Sequence, residues 1–324
     1  MVSLPPSPSS RPLTHVPRMK DFPPRNQGDD IAGTVHAIGE NVYEFKPGDR
    51  VFAFHEMLKP GGSYAEYGIA WAHTTALLPP SISFEEGAAI PLAALTAAVG
   101  LYASDRLGLP QPWSPMKAGQ ELPLLIYGAG SAVGSYALQL AVKSNLHPII
   151  AVAGRAQSHV EQFLDRSRGD TIVDYRDGDE AVVKGIQQAL GGKKLLHAFD
   201  AVSEKGSVEN IAKALSPDGG KTTFVLPPPR KDWSGVHECF EAGVKQSMTN
   251  VGSVHNAVKD LGFVYMRYFS RGLSEGWFKA QPQEVIKGGL GGVEEGLQNL
   301  KDGKASAVKY VFRIGETDGA GSGK

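Results

Sequence analysis

The pattern of apolar and polar positions changes character along the chain. Residues 1–28 carry prolines at 5, 6, 8, 12, 17, 23 and 24 among serines and arginines, with neither a helical nor an alternating period. Such a segment predicts a disordered tail. β-type patterning begins at Asp30-Ile31-Ala32-Gly33-Thr34-Val35 and reaches Gly39, where Glu40-Asn41 makes a turn. Pro47-Gly48-Asp49 is a second turn leading into the apolar run 50–54, and 62–69 gives a further strand signal. The region therefore predicts a small, mostly β module. Pro79-Pro80 closes it, Ser83 and Glu86 stand at capping-box spacing for a helix, and Pro91 separates that helix from another over 92–101.

From residue 122 the pattern becomes a regular alternation. An uncharged run at 124–127 is followed by strand patterns at 148–152, 171–174, 195–200 and 222–226, with helical spacing at 157–166, 180–190 and 208–215. Such alternation requires a parallel sheet with right-handed crossovers. Beyond it, Val254, Ala257, Val258, Leu261, Val264, Tyr265 and Tyr268 share one helical face, 293–300 reads as a short helix and 307–312 as a strand. That strand does not extend the βα rhythm, so it is expected to return to the first module. The fold class is α/β: a Rossmann doubly wound parallel sheet over 95–261, with a β-rich domain assembled from 29–94 and 262–324. The glycine-rich residues from 315 read as a frayed end.

The run at 124–127 leads into Gly128-Ala129-Gly130-Ser131-Ala132-Val133-Gly134, after which Val133, Ala137, Leu140 and Ala141 recur at helical spacing. Strand, glycine turn and helix is the order a phosphate site requires. The first helical N–H groups lack intrahelical acceptors, and a Cβ would hold the backbone away from phosphate oxygens. Gly128, Gly130, Ser131, Ala132, Val133 and Gly134 are thus candidate cofactor contacts. The strict G-x-G-x-x-G spacing is missed, since Val133 stands where the third glycine belongs; a tight turn in some other α/β protein is the alternative. An NAD-type site places an acid about 20 residues after the first glycine. Residues 149–158 contain none. Gly154, Arg155 and Ser158 offer instead an open backbone, a guanidinium fork and a neutral donor for a 2′-phosphate, which predicts NADPH. A solvated loop arginine is the alternative for Arg155.

Composition narrows the partners. A chain of 324 residues suits two domains, and 41% hydrophobic residues can bury a sizeable core. A net charge of -1 offers little to nucleic acid or an acidic membrane. One cysteine, Cys239, excludes an internal disulfide, a cysteine-rich zinc site and a C-x-x-C pair. No apolar run has the length of a membrane span, and the first residues lack the basic start and apolar core of a signal peptide, so the cytoplasm is the expected compartment. Pro227-Pro228-Pro229 after the strand at 222–226 removes backbone donors near an expected sheet edge, which favours a monomer.

Several runs occur in a telling order: 30–35, Phe45-Lys46-Pro47-Gly48-Asp49-Arg50-Val51, Gly62-Ser63-Tyr64-Ala65-Glu66-Tyr67, Gly87-Ala88-Ala89-Ile90-Pro91, Gly128 to Gly134, Val173-Asp174-Tyr175-Arg176 and Gly288-Gly289. Over about residues 28–314 they resemble the medium-chain dehydrogenase/reductase superfamily, in its zinc-independent quinone oxidoreductase and enoyl reductase branch. The glycine turn and Ala153-Gly154-Arg155 are most similar to a fungal group of stand-alone, trans-acting enoyl reductases and ToxD-like proteins. The resemblance implies that the β domain is GroES-like and that the protein is an NADPH-dependent oxidoreductase of conjugated C=C bonds. The β carbon would receive hydride and the α carbon a proton, on a small-molecule or carrier-bound enoyl substrate of secondary metabolism, with a polyketide synthase as implied partner. It also implies Thr96 near the nicotinamide, Leu226, Val285 and Ile286 over its other side, and Tyr175 beside the 2′-phosphate. Plain core packing is the alternative for Leu226, Val285 and Ile286. Tyr64 is a candidate proton donor, a structural tyrosine being the alternative.

Zinc enzymes of the superfamily use cysteine and histidine ligands. With one cysteine outside that pattern, and with His36, His55 and His73 unsupported by further ligands, no metal site is expected; these histidines read as surface or turn residues. Ahead of Asp30 the family has further strands and an Asn-Pro-x-Asp-x-Lys stretch. A proline-rich segment stands here, which reads as a shortened N-terminal part, and only Lys20 could imitate that lysine, at a different spacing. Three readings stay open: an enoyl reductase, a quinone oxidoreductase sharing every cofactor residue, and a non-catalytic NADPH-binding protein.

Overall fold

The computed structural model describes residues 27–227 and 236–321. The chain divides into two compact units, the first built from the segments up to Leu92 and from Gly252 onward, the second from Ala93–Val251. The N-terminal segment supplies β1 (Asp30–Thr34), β2 (Arg50–Phe54), β3 (Thr75–Leu77), α1 (Phe84–Ala88) and the start of α2 (Pro91–Tyr102). The middle supplies β4 (Leu124–Tyr127), α3 (Ala132–Lys143), β5 (Ile149–Ala153), α4 (Gln157–Glu161), β6 (Thr171–Asp174), α5 (Asp179–Leu190), β7 (His197–Asp200), α6 (Ser207–Ala214), β8 (Lys221–Phe224) and β9 (Lys245–Met248). The C-terminal segment adds α7 (Lys259–Glu275), β10 (Gln283–Ile286), α8 (Val293–Lys301) and β11 (Lys309–Phe312). Among the described residues no helix is long and apolar enough to cross a membrane.

The second unit is a six-stranded sheet in the order β6-β5-β4-β7-β8-β9, parallel throughout. The chain leaves β4 for β5 and β6, then returns past β4 to β7, so the order reverses beside the central strand. Ligand crevices of open α/β sheets form at the carboxyl ends at such a point. One face buries Leu125, Tyr127, Ile150 and Val152 against Val182, Ile186 and Leu190 of α5 and Ile211 of α6. Leu124, Ile126, Ile149 and Ala151, with the opposite parity, are also fully buried. Burial on both faces is why these strands read as continuous apolar runs.

Two expectations for this unit are corrected. The edge strand β9 has the sequence Lys-Gln-Ser-Met, too polar to signal a strand, and it covers β8. The strand ahead of Pro227 is therefore internal, and the sheet-edge argument for a monomer loses its basis; Pro228 and Pro229 lie outside the described residues. The helix expected over 157–166 stops at Glu161, because Asp170 Oδ2 accepts from Asp165 N (2.9 Å) and Asp165 Oδ1 accepts from Ser167 N (3.0 Å). Such local side-chain bonds compete with the helical ladder.

The first unit holds an antiparallel sheet, β1-β2-β3, and a parallel pair, β10-β11. The predicted capping box is present on α1, with Ser83 and Glu86 bonding reciprocally. Residues 62–69 form bends rather than a strand. Gly61 has φ +91°, and Ser63 N and Tyr64 N donate to the carbonyls of Gly28 (2.8 Å) and Gln27 (3.1 Å), so the segment packs as an irregular loop. The division falls after Val251 rather than near 261 because the turn Val251–His255 already packs with the N-terminal segment. His73 Nε2 bonds the Val254 carbonyl (3.1 Å), and the His255 ring lies 5.0 Å from that of Phe54. Helix α7 is fastened by Arg267, whose guanidinium donates to the carbonyls of Ala72 (3.2 Å), His73 (3.3 Å) and Thr75 (3.2 Å) and to Glu44 (2.5 Å).

Two half-buried histidines make stability depend on pH. Burial, with the Lys221 charge adding, lowers His197 from 6.5 to about 4, and burial with the Lys259 charge does the same for His73. Both stay neutral in the folded chain while the unfolded chain takes up protons below 6.5, so stability is complete above that pH and falls toward pH 4. With solvent screening of the part-exposed rings, each contributes a loss of about 1 kcal/mol at about pH 5. Urea unfolding at about pH 7.5 and about pH 5 should show this loss, reduced in His197→Gln; equal midpoints at both pH values would refute it.

Candidate cofactor site

Four loops meet where β4, β5, β6 and β7 end. After β4 the chain turns at Gly128, whose φ of +76° suits glycine, and Ser131 caps α3 by accepting from Gly134 N (3.0 Å). A Cβ on Gly134 would stand 2.3 Å from the Gly128 carbonyl, so the helix can approach its own turn only without a side chain there. Gly134 thereby performs the close-packing role of the fingerprint's third glycine, one residue later than the strict spacing, and Val133 is free to carry a side chain. A Cβ on Gly130 would lie 2.4 Å from Ala156 Cβ in the loop after β5, and one on Gly128 would lie 2.4 Å from Val202 in the loop after β7.

The loops after β5 and β6 interlock in the same way. The Tyr175 ring crosses Gly154, with its nearest ring carbons 2.6 Å from where a Cβ would stand, while Tyr175 itself is 48% exposed. Arg155, on the loop after β5, and Ser158, in the first turn of α4, are both exposed. Between them, Gln157 Nε2 donates to Asp174 Oδ2 (2.6 Å). Hydrogen bonds from Arg176 hold the Asp174 carboxyl below its ordinary value.

Asp200, fully buried at the end of β7, was not singled out by the sequence. It accepts from Val202 N (2.9 Å), Ser203 N (2.8 Å) and Ser207 Oγ (2.6 Å), although burial still raises its pKa. Ser203, at φ +60°, accepts in turn from Val225 N (3.0 Å) and Leu226 N (3.3 Å). Leu226 is 46% exposed, so it is not a core residue of this unit. An acid closing a strand before a small-residue turn was the available signal for Asp200. Thr96 is buried on α2, one turn ahead of Gly100, which packs on Phe199 of β7.

The remaining candidates belong to the first unit. Ile286 is 4% exposed, and a Cβ on Gly292 would meet it at 2.8 Å, so its side chain is spent on that unit's core; Val285 is half-buried. Tyr64 lines a cavity of about 690 Å³ with Asp29, Asp30, Lys309 and Phe312. Its ring stands edge-on to Phe312, 6.1 Å between centroids. Burial first, then the Asp30 and Asp29 charges, raise the Tyr64 pKa above 10. Lys20 lies outside the described residues. His55 is buried, not a surface residue, with its two ring nitrogens against the carbonyls of Ile69 (2.5 Å) and Lys59 (3.0 Å). Among the described residues no three His, Cys, Asp or Glu side chains gather as metal ligands would.

Trans-enoyl reductase fsr4 of Gibberella fujikuroi is 53% identical to this chain over 263 residues, covering 81% of this chain and 75% of its own length. The chain belongs to the medium-chain dehydrogenase/reductase family. Trans-enoyl reductase ACTTS2 of Alternaria alternata is 32% identical over 301 residues, covering 89% of this chain and 83% of its own. Residues 13–80 of this medium-chain dehydrogenase/reductase match the alcohol dehydrogenase GroES-like domain, a match that begins inside the segment expected to be a tail. The crystal structure of CurK enoyl reductase shares the fold, with a TM-score of 0.65 at 20% identity over 87% of this chain and 78% of its own. Members of the family bind a nicotinamide cofactor, and the turn between β4 and α3 fits one: the first N–H groups of α3, which lack intrahelical acceptors, stand at the carboxyl end of the central strand.

Contact between the first two loops is directly testable. Gly130→Ala should cost about 1–3 kcal/mol by overpacking against Ala156, and adding Ala156→Gly should recover most of it. Urea midpoints of the two variants measure this; an undiminished Gly130→Ala midpoint would place the loops apart.

Proposed function

We propose that this chain is an NADPH-dependent, metal-free reductase of a conjugated carbon–carbon double bond. Its substrate class is an α,β-unsaturated thioester or carbonyl of secondary metabolism, presented by a polyketide synthase. The observation that carries this reading is the 53% identity, over 81% of the chain, to a trans-enoyl reductase. The strand, glycine turn and helix at the end of β4 add support, since the unpaired N–H groups of such a helix start are what a dinucleotide's phosphates need.

The amides of Ala132 and Val133, first in α3, would meet the pyrophosphate with the positive end of the helix dipole, and Gly128, Gly130 and Gly134 let the turn that carries them pack closely on its neighbours. Gly154 and the exposed Tyr175 ring would border the adenosine end, where Arg155 and Ser158 would hold the 2′-phosphate. Asp200, acting through Ser203, fixes the backbone at Leu226, which with Thr96 would hold the nicotinamide. When bound, the nicotinamide supplies the hydride for the β carbon. Tyr64 retains its phenolic proton through neutral pH, as a donor to the α carbon must, and it lines a cavity large enough for a small acyl group. Val285 is the member of the 285–286 pair left to meet a ligand. The absence of a cysteine-rich ligand set, with one cysteine in the chain, supports chemistry without zinc.

Side-by-side assays of the purified protein with a crotonyl-type thioester and a benzoquinone, each with NADPH, test the reaction. Thioester turnover well above quinone turnover is expected; the reverse would make the chain a quinone reductase, and turnover of neither a non-catalytic binder. Arg155→Ala tests the cofactor. Losing a charge-assisted hydrogen bond should weaken NADPH about ten-fold to a hundred-fold and leave NADH nearly unchanged. Equal loss of both would remove Arg155 from the 2′-phosphate site.

A further inference from the structure

Asp174 closes β6 in register with Ala153 of β5, so its carboxylate stands at the edge formed by Gly154, Arg155 and Ser158. A carboxylate in this neighbourhood selects a dinucleotide with a free ribose hydroxyl, because it accepts from that hydroxyl and repels a phosphate in its place. In this chain its oxygens are already engaged. Arg176 donates its backbone N–H (2.9 Å) and Nε (2.9 Å) to Oδ1 and its Nη2 (2.5 Å) to Oδ2. Gln157, the first residue of α4, adds Nε2 to Oδ2 (2.6 Å). The Asp174 side chain is only 16% exposed and that of Arg176 52%, so the cation covers the anion on the solvent side. Tyr175 lies between them in sequence with its ring over Gly154, and the other acid of this turn, Asp177, is exposed.

We propose that Arg176 and Gln157 silence Asp174, an acid placed to favour NADH, and that this ion pair is a second determinant of NADPH preference beside Arg155. The proposal rests on the NADPH reading above. Arg176 acts as a positioning residue: its fork is spent on Asp174, and its effect on the 2′-phosphate is to cancel a neighbouring negative charge. Uncovered, Asp174 would repel the phosphate and accept from the ribose, moving the two affinities in opposite directions. A direct phosphate ligand would move only one, and no second substitution at Asp174 would restore it.

The experiment is a fluorescence titration of the full chain with NADPH and with NADH, giving a Kd for each without any substrate. Wild type should prefer NADPH. In Arg176→Ala the NADPH-to-NADH preference should fall about ten-fold or more, with NADH affinity kept or improved. The double variant Asp174→Asn with Arg176→Ala should bring the preference back to within about three-fold of wild type. Arg176→Gln, which keeps a neutral donor, should shift it in the same direction and carries the test if the alanine variant does not fold. A double variant no better than Arg176→Ala alone would make Arg176 a phosphate ligand and overturn the proposal. So would an unchanged preference in both single variants at Arg176. Wild-type protein that binds neither dinucleotide would overturn the cofactor reading itself, and this proposal with it.

Discussion

Close approach of backbone to backbone, where the parallel strands end, is the constraint on which the second unit depends. Helix α3 starts against the Gly128 carbonyl because Gly134 has no side chain. The turn it forms then meets Ala156 through Gly130 and Val202 through Gly128, while Gly154 seats Tyr175. Loops ordinarily gain mobility by lacking side-chain contacts. Here the lack of a side chain is what lets neighbouring loops touch. The edge is therefore closely packed around the start of α3, whose first N–H groups are the ones that binding phosphate demands.

The same edge manages its charges within short reach. Asp200 is buried and, among the described residues, forms no ion pair; it is tolerated because two backbone amides and a serine hydroxyl donate to it. Its hold on Ser203 carries forward to Leu226 across the end of β8. In the first unit the arrangement is inverted: Arg267 spends its fork mainly on backbone carbonyls, which fastens α7 to residues nearly two hundred positions earlier. A planar cation with five donors suits that task better than an ammonium would. Removing any of these partners would leave a desolvated polar group unmatched, which costs more than the bond itself contributes.

Legibility followed burial. β4 and β5 were readable because strands covered on both faces are short apolar runs, and α5 because its buried Val182, Ile186 and Leu190 recur at helical spacing. The capping box of α1 was readable because both partners are local. β9 was not, since an edge strand needs no apolar residue to take backbone bonds from β8. Residues 62–69 misled because tyrosine and alternation favour strand, while the conformation there is set by Gly61 and by bonds to Gly28 and Gln27, distant in sequence. At the candidate site, Gly130 and Arg155 announced themselves by type and position. Asp200, Gln157 and Arg176 did not, because their significance lies in which partner each one meets.

By itself, then, the sequence determined the alternation of buried strands and helices, the glycine turn between β4 and α3, and the absence of an acid after β5, since each depends on residue type within a few positions. Only the tertiary structure decided that Gly134 replaces the fingerprint's third glycine, that Ile286 packs inward while Leu226 is exposed, that β8 is not an edge, and that Asp174 is already matched by Arg176. The division has one physical cause. Side-chain periodicity and turn geometry are local and are written in consecutive residues, whereas the distance from an absent Cβ to the next loop, or from a carboxylate to its donor, exists only after the strands are set side by side.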